Sequence, residues 1–132
     1  MKHIIIALAV LVLAGCANKP YEQTTNIIEP KFTTKKADST QIRIHRISQI
    51  SGSGLGEGCP LVVSVDNTEA AGLQQNQYVD LFLDKGNHTV KVRFSCALTG
   101  WSKSLDIVAD GSYQEYETET GMAGQYRMWR TK

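Results

Sequence analysis

The sequence predicts an all-β protein, an antiparallel β-sandwich of about seven to eight short strands. Three observations point there: apolar–polar alternation from Gln41 onward, Gly, Asp and Asn at the breaks, and no window with a convincing helical stripe. Gln41 to Ser48 alternates through Ile42 and Ile44 as a first strand. Cys59 to Asp66 is the second, and Asp66-Asn67 marks a turn before a short returning segment, Glu69 to Leu73. Within that segment Glu69 to Gln74 has the composition for one helical turn, weakened by Gly72. Gln77 to Leu83 places Val79, Leu81 and Leu83 on one face and Tyr78, Asp80 and Phe82 on the other. Asp84-Lys85-Gly86-Asn87 is a turn with glycine placed for positive φ, and His88 to Cys96 returns with Thr89, Lys91, Arg93 and Ser95 outward. Ser102 to Ala109 brings Leu105, Ile107 and Ala109 to the core, and Asp110-Gly111 is a hairpin dipeptide leading into Ser112 to Glu119. Gln125 to Arg130 closes the chain. One half-polar face per strand fits two antiparallel sheets around a single core.

Ahead of these strands the chain opens Met1-Lys2-His3 and continues from Ile4 to Leu13 without a charge. That run is too short to cross a bilayer as a helix, which needs roughly 20 apolar residues. A basic start, a short apolar stretch and small residues mark a secretory signal. Here Leu13-Ala14-Gly15 leads directly into Cys16, which resembles the lipobox of bacterial lipoproteins. In that family the cysteine thiol receives a diacylglycerol, the preceding peptide is removed, and the new amino terminus is acylated. The resemblance implies a signal peptide at 1–15 and Cys16 as the lipid anchor. An ordinary secretory signal is the competing reading. Ala17-Asn18 carries no aspartate, which in Gram-negative lipoproteins resembles sorting to the outer membrane, facing the periplasm.

Residues 16–40 are rich in Asn, Thr, Lys, Gln and Glu, with Pro20 and Pro30, and read as a lipidated flexible tether before a β-sandwich domain at 41–132. A free chain of that length spans about 25–30 Å root-mean-square. Ile27, Ile28 and Phe32 are apolar exceptions, suited to an added edge strand. The remaining cysteines, Cys59 and Cys96, then sit in an oxidising compartment, where an even count favours a disulfide. Each shares the apolar parity of its run, so both sulfurs are expected to face the core, with the bond joining strands across the two sheets. Two buried thiols or metal ligands are the alternatives, and no second histidine or acid stands at ligand spacing.

The middle of the chain carries Val-Ser-Val-Asp-Asn at 63–67, Gln-Tyr-Val-Asp-Leu at 77–81 and Asp-Lys-Gly-Asn-His-Thr-Val-Lys-Val at 84–92. This resembles the PEGA-type module and related small bacterial lipoprotein domains, with Lys85 in place of the usual proline and Asn67 in place of the usual glycine. The resemblance implies two hairpins closing a sandwich, and no catalytic residue.

Charge and motifs narrow the function. Without the signal the chain carries 13 basic and 13 acidic side chains, which argues against a nucleic-acid partner or a polybasic membrane grip. Ser51-Gly52-Ser53-Gly54-Leu55-Gly56-Glu57-Gly58 fits neither dinucleotide nor P-loop spacing and reads as a connecting loop suited to recognition. His45 and His88 lack further ligands at metal spacing, so no metal and no cofactor is expected. Glu115, Glu117 and Glu119 share one strand face, a ladder for basic partners such as Arg127, Lys103 or Arg93. Trp101, in a loop beside Cys96, joins Gly54, Leu55 and Glu57 as the expected binding surface. The function expected is an outer-membrane-anchored lipoprotein with a non-catalytic periplasmic domain that binds an envelope protein. The alternatives are a periplasmic inhibitor of a cell-wall hydrolase or an accessory subunit of an envelope or secretion complex.

Overall fold

The computed structural model describes residues 21–49, 56–121 and 124–132. Their strands are β1 (Glu22–Gln23), β2 (Ser39–Arg46), β3 (Leu61–Val65), β4 (Thr68–Leu73), β5 (Gln77–Asp84), β6 (Gly86–Phe94), β7 (Lys103–Ala109), β8 (Gln114–Thr120) and β9 (Tyr126–Arg130). A 3-10 turn at Pro30–Phe32 is the only helical element among the described residues. The strands form a five-stranded sheet, β1-β5-β2-β8-β9, and a four-stranded sheet, β4-β3-β6-β7. The alternation expected from the sequence does the sorting. Ile42, Ile44, Val79, Leu81 and Leu83 from one sheet meet Val63, Val65, Val90, Val92 and Ile107 from the other in one buried cluster. Each such side chain removed from water contributes about 1.5–3 kcal/mol. The all-β, sandwich-like reading of the sequence is thus met.

Strand direction differs from expectation. The four-stranded sheet is antiparallel throughout, but the five-stranded sheet is mixed: β2 runs parallel to β8, with Ile44 opposite Tyr116, and β1 parallel to β5. Alternation tells which face a residue takes, not which strand lies beside it. Five strands separate β2 from β8 in the chain, so β8 re-enters the sheet running the same way.

Two expected hairpins are instead corners between sheets. Asp84-Lys85-Gly86 carries the chain from β5 in one sheet to β6 in the other, and Asp110-Gly111 carries it from β7 back to β8. Both glycines adopt positive φ, 131° at Gly86 and 92° at Gly111, so the turn chemistry is as expected while the pairing is not. The Gly111 N–H donates to Thr40 Oγ1 on β2 at 2.7 Å, which fixes the re-entry. Asp66-Asn67 does close a hairpin, with both residues at positive φ and Val65 opposite Thr68. The following segment is strand β4, not a helical turn; a bulge between Val63 and Ser64 lets both Ala70 and Ala71 be buried.

Cys59 and Cys96 are bonded, with Cα atoms 5.3 Å apart. The bond lies within one sheet rather than across two: Cys59 precedes β3 and Cys96 follows β6, neighbours that pair at Leu61 and Phe94. Cys59 is buried, but Cys96 is exposed, contrary to its parity. The strand stops at Phe94, and the chain turns there with the Ala97 N–H on the Phe94 carbonyl. Closing a loop of 37 residues stabilises by roughly 3–4 kcal/mol on the chain-entropy model.

The largest departure is at the expected tether, whose described part, 21–40, is not free chain. Glu22 and Thr24 donate their N–H groups to Asn76 and Tyr78 carbonyls along the β5 edge. The segment then crosses to β4, where Gly72 N–H donates to Asn26 O and the Ile28 and Glu29 N–H groups to Ala70 O. Ile27 makes the isolated bridge, to Ala71, while Ile28 is exposed. This strap satisfies backbone groups that two sheet edges would otherwise leave open. Gly72 lets the strap approach closely: a Cβ would run into the Asn26 side chain and lie 3.0 Å from Pro60 Cβ.

Candidate functional site

The strands run between two ends. Tyr21, the starts of β3, β5, β7 and β9, the ends of β2, β4, β6 and β8, and the disulfide share one of them. Two of the residues expected as a binding surface, Glu57 and Trp101, belong to this disulfide end and both are exposed. Gly54 and Leu55 lie outside the described residues, as does Cys16. The connection after β6 is held from below: Arg93 Nη2 donates to the carbonyls of Ala97 at 3.2 Å and Thr99 at 2.6 Å. Its tip carries Leu98, fully exposed at 103%, and Trp101 at 57%. Leu98 lies in the loop expected after Cys96, but a single aliphatic side chain there gives no binding signal in the sequence. Under this end Arg46 is buried with its Nη1 on the Leu73 carbonyl at 2.9 Å and its guanidinium 5.0 Å from the Phe94 ring. Burial lowers the Arg46 pKa. The Phe94 N–H donates to the Tyr126 hydroxyl, closing the floor.

A second cluster, on the outer face of the five-stranded sheet, was not foreseen. Register places Asp80, Arg43 and Glu115 in one row and Tyr78, His45, Glu117 and Trp129 in the next. Arg43 grips Asp80 by a two-point fork, Nε to Oδ1 at 2.8 Å and Nη2 to Oδ2 at 3.0 Å, and lies 4.0 Å from the Tyr78 ring centre. The Asp80 bond raises the Arg43 pKa further, against the lowering effect of burial. Tyr113 donates its hydroxyl to Glu115 Oε1 at 2.6 Å, and burial with that bond pushes the phenol up to about 12.

His45 sits beneath Tyr21, the two rings stacked 3.5 Å apart at 25°. Its Nε2 faces Asn76 Oδ1 at 3.3 Å, while Nδ1 is buried with no hydrogen-bond partner among the described residues, 4.0 Å from Glu117 Oε1. Burial lowers the His45 pKa, outweighing the Asn76 bond and Glu117. Tyr21, Arg43, His45, Glu115, Glu117 and Thr131 enclose about 30 Å³, room for a single water. The glutamate ladder meets Arg127 at Glu119, as expected, and Lys132 at Glu115. Lys103 and Arg93, also expected opposite it, belong to the other sheet, because pairing and not parity decides which strands face each other.

This face offers aromatic rings, a fixed guanidinium and carboxylates. Its chemistry suits recognition of another polar surface. Among the described residues no group of three or more His, Cys, Asp or Glu is placed to hold a metal ion, and no helix is long and apolar enough to cross a membrane. No protein-family model matches the chain, and no curated protein matches it.

Proposed function

We propose that this chain is a lipid-anchored envelope protein, held at the outer membrane through Cys16 and facing the periplasm, whose β domain binds another envelope protein without catalysis. The observation that carries the reading is the cysteine accounting. Cys59 and Cys96 pair with each other, and the third, Cys16, stands at the end of Leu13-Ala14-Gly15, where lipidation needs a thiol. A bonded pair fits an exported chain.

The outer face of the five-stranded sheet supports the binding half of the reading. Tyr, Trp and Arg dominate the energetics of protein interfaces, and Tyr21, Tyr78, Trp129 and the prealigned Arg43 share that face. The hydrolase-inhibitor reading, which would use the glycine-rich segment 52–58 as its recognition loop, gains less, because the flanking end of β2 and start of β3 stand at the same end as Tyr21, from which the chain runs back toward Cys16. A photoreactive residue at Trp129, compared with one at Asp106 on the other sheet, tests the surface in intact cells. One stoichiometric product from position 129 and none from 106 is expected; a solitary monomer from both contradicts the binding role. Turnover of an envelope substrate, abolished by one side-chain change, contradicts the absence of catalysis.

A further inference from the structure

We infer that the disulfide end rests on the lipid bilayer, with Leu98 and Trp101 seated in its interface. The inference builds on the anchoring of Cys16 proposed above and concerns how the anchored domain is oriented. Tyr21 is five residues beyond Cys16, so even fully extended chain between them spans about 17 Å. Tyr21 is itself fixed, stacked on His45, with the next residue hydrogen-bonded to Asn76. The 25–30 Å stand-off expected of a long tether is therefore closed by the strap. The domain is leashed short, and it is leashed by one particular end.

That end is identified by strand direction. β1 runs parallel to β5 and pairs Glu22 with Gln77, the first residue of β5. The chain next crosses at Asp84-Lys85-Gly86 and β6 runs back, so Phe94 and the connection after it return to the end where Tyr21 lies. The connection from Ala97 to Ser102 carries no charge. Its two large apolar side chains are the exposed Leu98 and Trp101. Arg93 and the disulfide hold its backbone from beneath, so these side chains project from a fixed platform. Tryptophan favours the headgroup level of a bilayer, where its ring is shielded and its N–H remains wet. Exposed Glu22 and Glu57 stand at the same end as Lys103, so the apolar side chains and not a net charge carry the contact. A bilayer surface is the occupant because the short link from Cys16 to Tyr21 itself holds this end beside the membrane.

The test uses the mature, lipidated full chain carrying Trp129→Phe, which leaves Trp101 as the sole tryptophan. The protein is incorporated in phosphatidylethanolamine–phosphatidylglycerol vesicles, with or without lipids brominated near the headgroup. At least twofold quenching of Trp101 by the brominated lipid is expected, cut by half or more on Leu98→Asp. Because Leu98 is fully exposed, that change leaves folding intact, which circular dichroism verifies. Protein that floats with the vesicles but is not quenched, or is quenched equally with Leu98→Asp, overturns the docking and leaves the anchor standing. Protein that fails to float overturns the anchor, and the docking with it.

Discussion

The His88 imidazole is clasped by Asp66: Nδ1 lies 2.7 Å from Asp66 Oδ2, while Nε2 lies 2.6 Å from the Asp84 carbonyl oxygen. Both partners accept, so the ring donates from both nitrogens as imidazolium. Asp66 Oδ1 also takes the Thr89 N–H at 2.9 Å. The clasp joins the β3–β4 hairpin to the β5–β6 corner at the end away from the disulfide.

His88 and His45 titrate in opposite directions from 6.5. Burial pulls the His88 pKa down, but Asp66 and the Asp84 carbonyl outweigh it and the net shift is upward. Its stabilisation is complete below about pH 6.5 and is lost as pH rises through the native value. Burial dominates at His45 and lowers its pKa. Stability linked to His45 is complete above its unfolded value and is lost as pH falls through the native one. NMR titration of the ring protons is expected to place His88 above 6.5 and His45 below it. His88→Gln is expected to flatten the alkaline side of the stability profile; an unchanged profile refutes the clasp.

The Arg43–Asp80 fork is half-buried and charge-assisted. Asp80→Asn or Arg43→Lys is expected to cost about 1–2 kcal/mol, because either breaks the two-point geometry. Urea denaturation of both single variants and the double variant measures the coupling. A coupling energy below about 0.3 kcal/mol contradicts a structural role for the pair.

The strap depends on bare backbone at Gly72. Gly72→Ala is expected to cost about 1–2 kcal/mol through overpacking against Asn26 and Pro60. It is also expected to speed amide exchange at Gly72 and Ile28, whose N–H groups donate across the strap to the Asn26 and Ala70 carbonyls. Unaltered exchange at both means the strap does not need that gap.

The sequence made the faces legible but not the neighbours. Val79, Leu81 and Leu83 were readable as core because a strand alternates with period two, and Asp66-Asn67 was readable as a hairpin because both residues tolerate positive φ. The corners at Gly86 and Gly111 carry the same local signal as a hairpin, and only long-range packing decides that the chain changes sheet. The site around His45 was hidden for a related reason. Tyr21 comes from a segment whose polar composition resembles free chain, and its order derives from edge hydrogen bonds that no periodicity announces. Trp101 in its loop was open to either core packing or a binding surface, and only the fold shows it exposed beside Leu98.

Intact mass analysis of the mature protein tests the anchoring most directly. A chain that begins at Cys16, carrying a diacylglyceryl thioether and an acylated amino group, with Cys59 and Cys96 oxidised, is expected. A chain that retains residues 1–15, or a Cys16 thiol free of lipid, contradicts the anchoring.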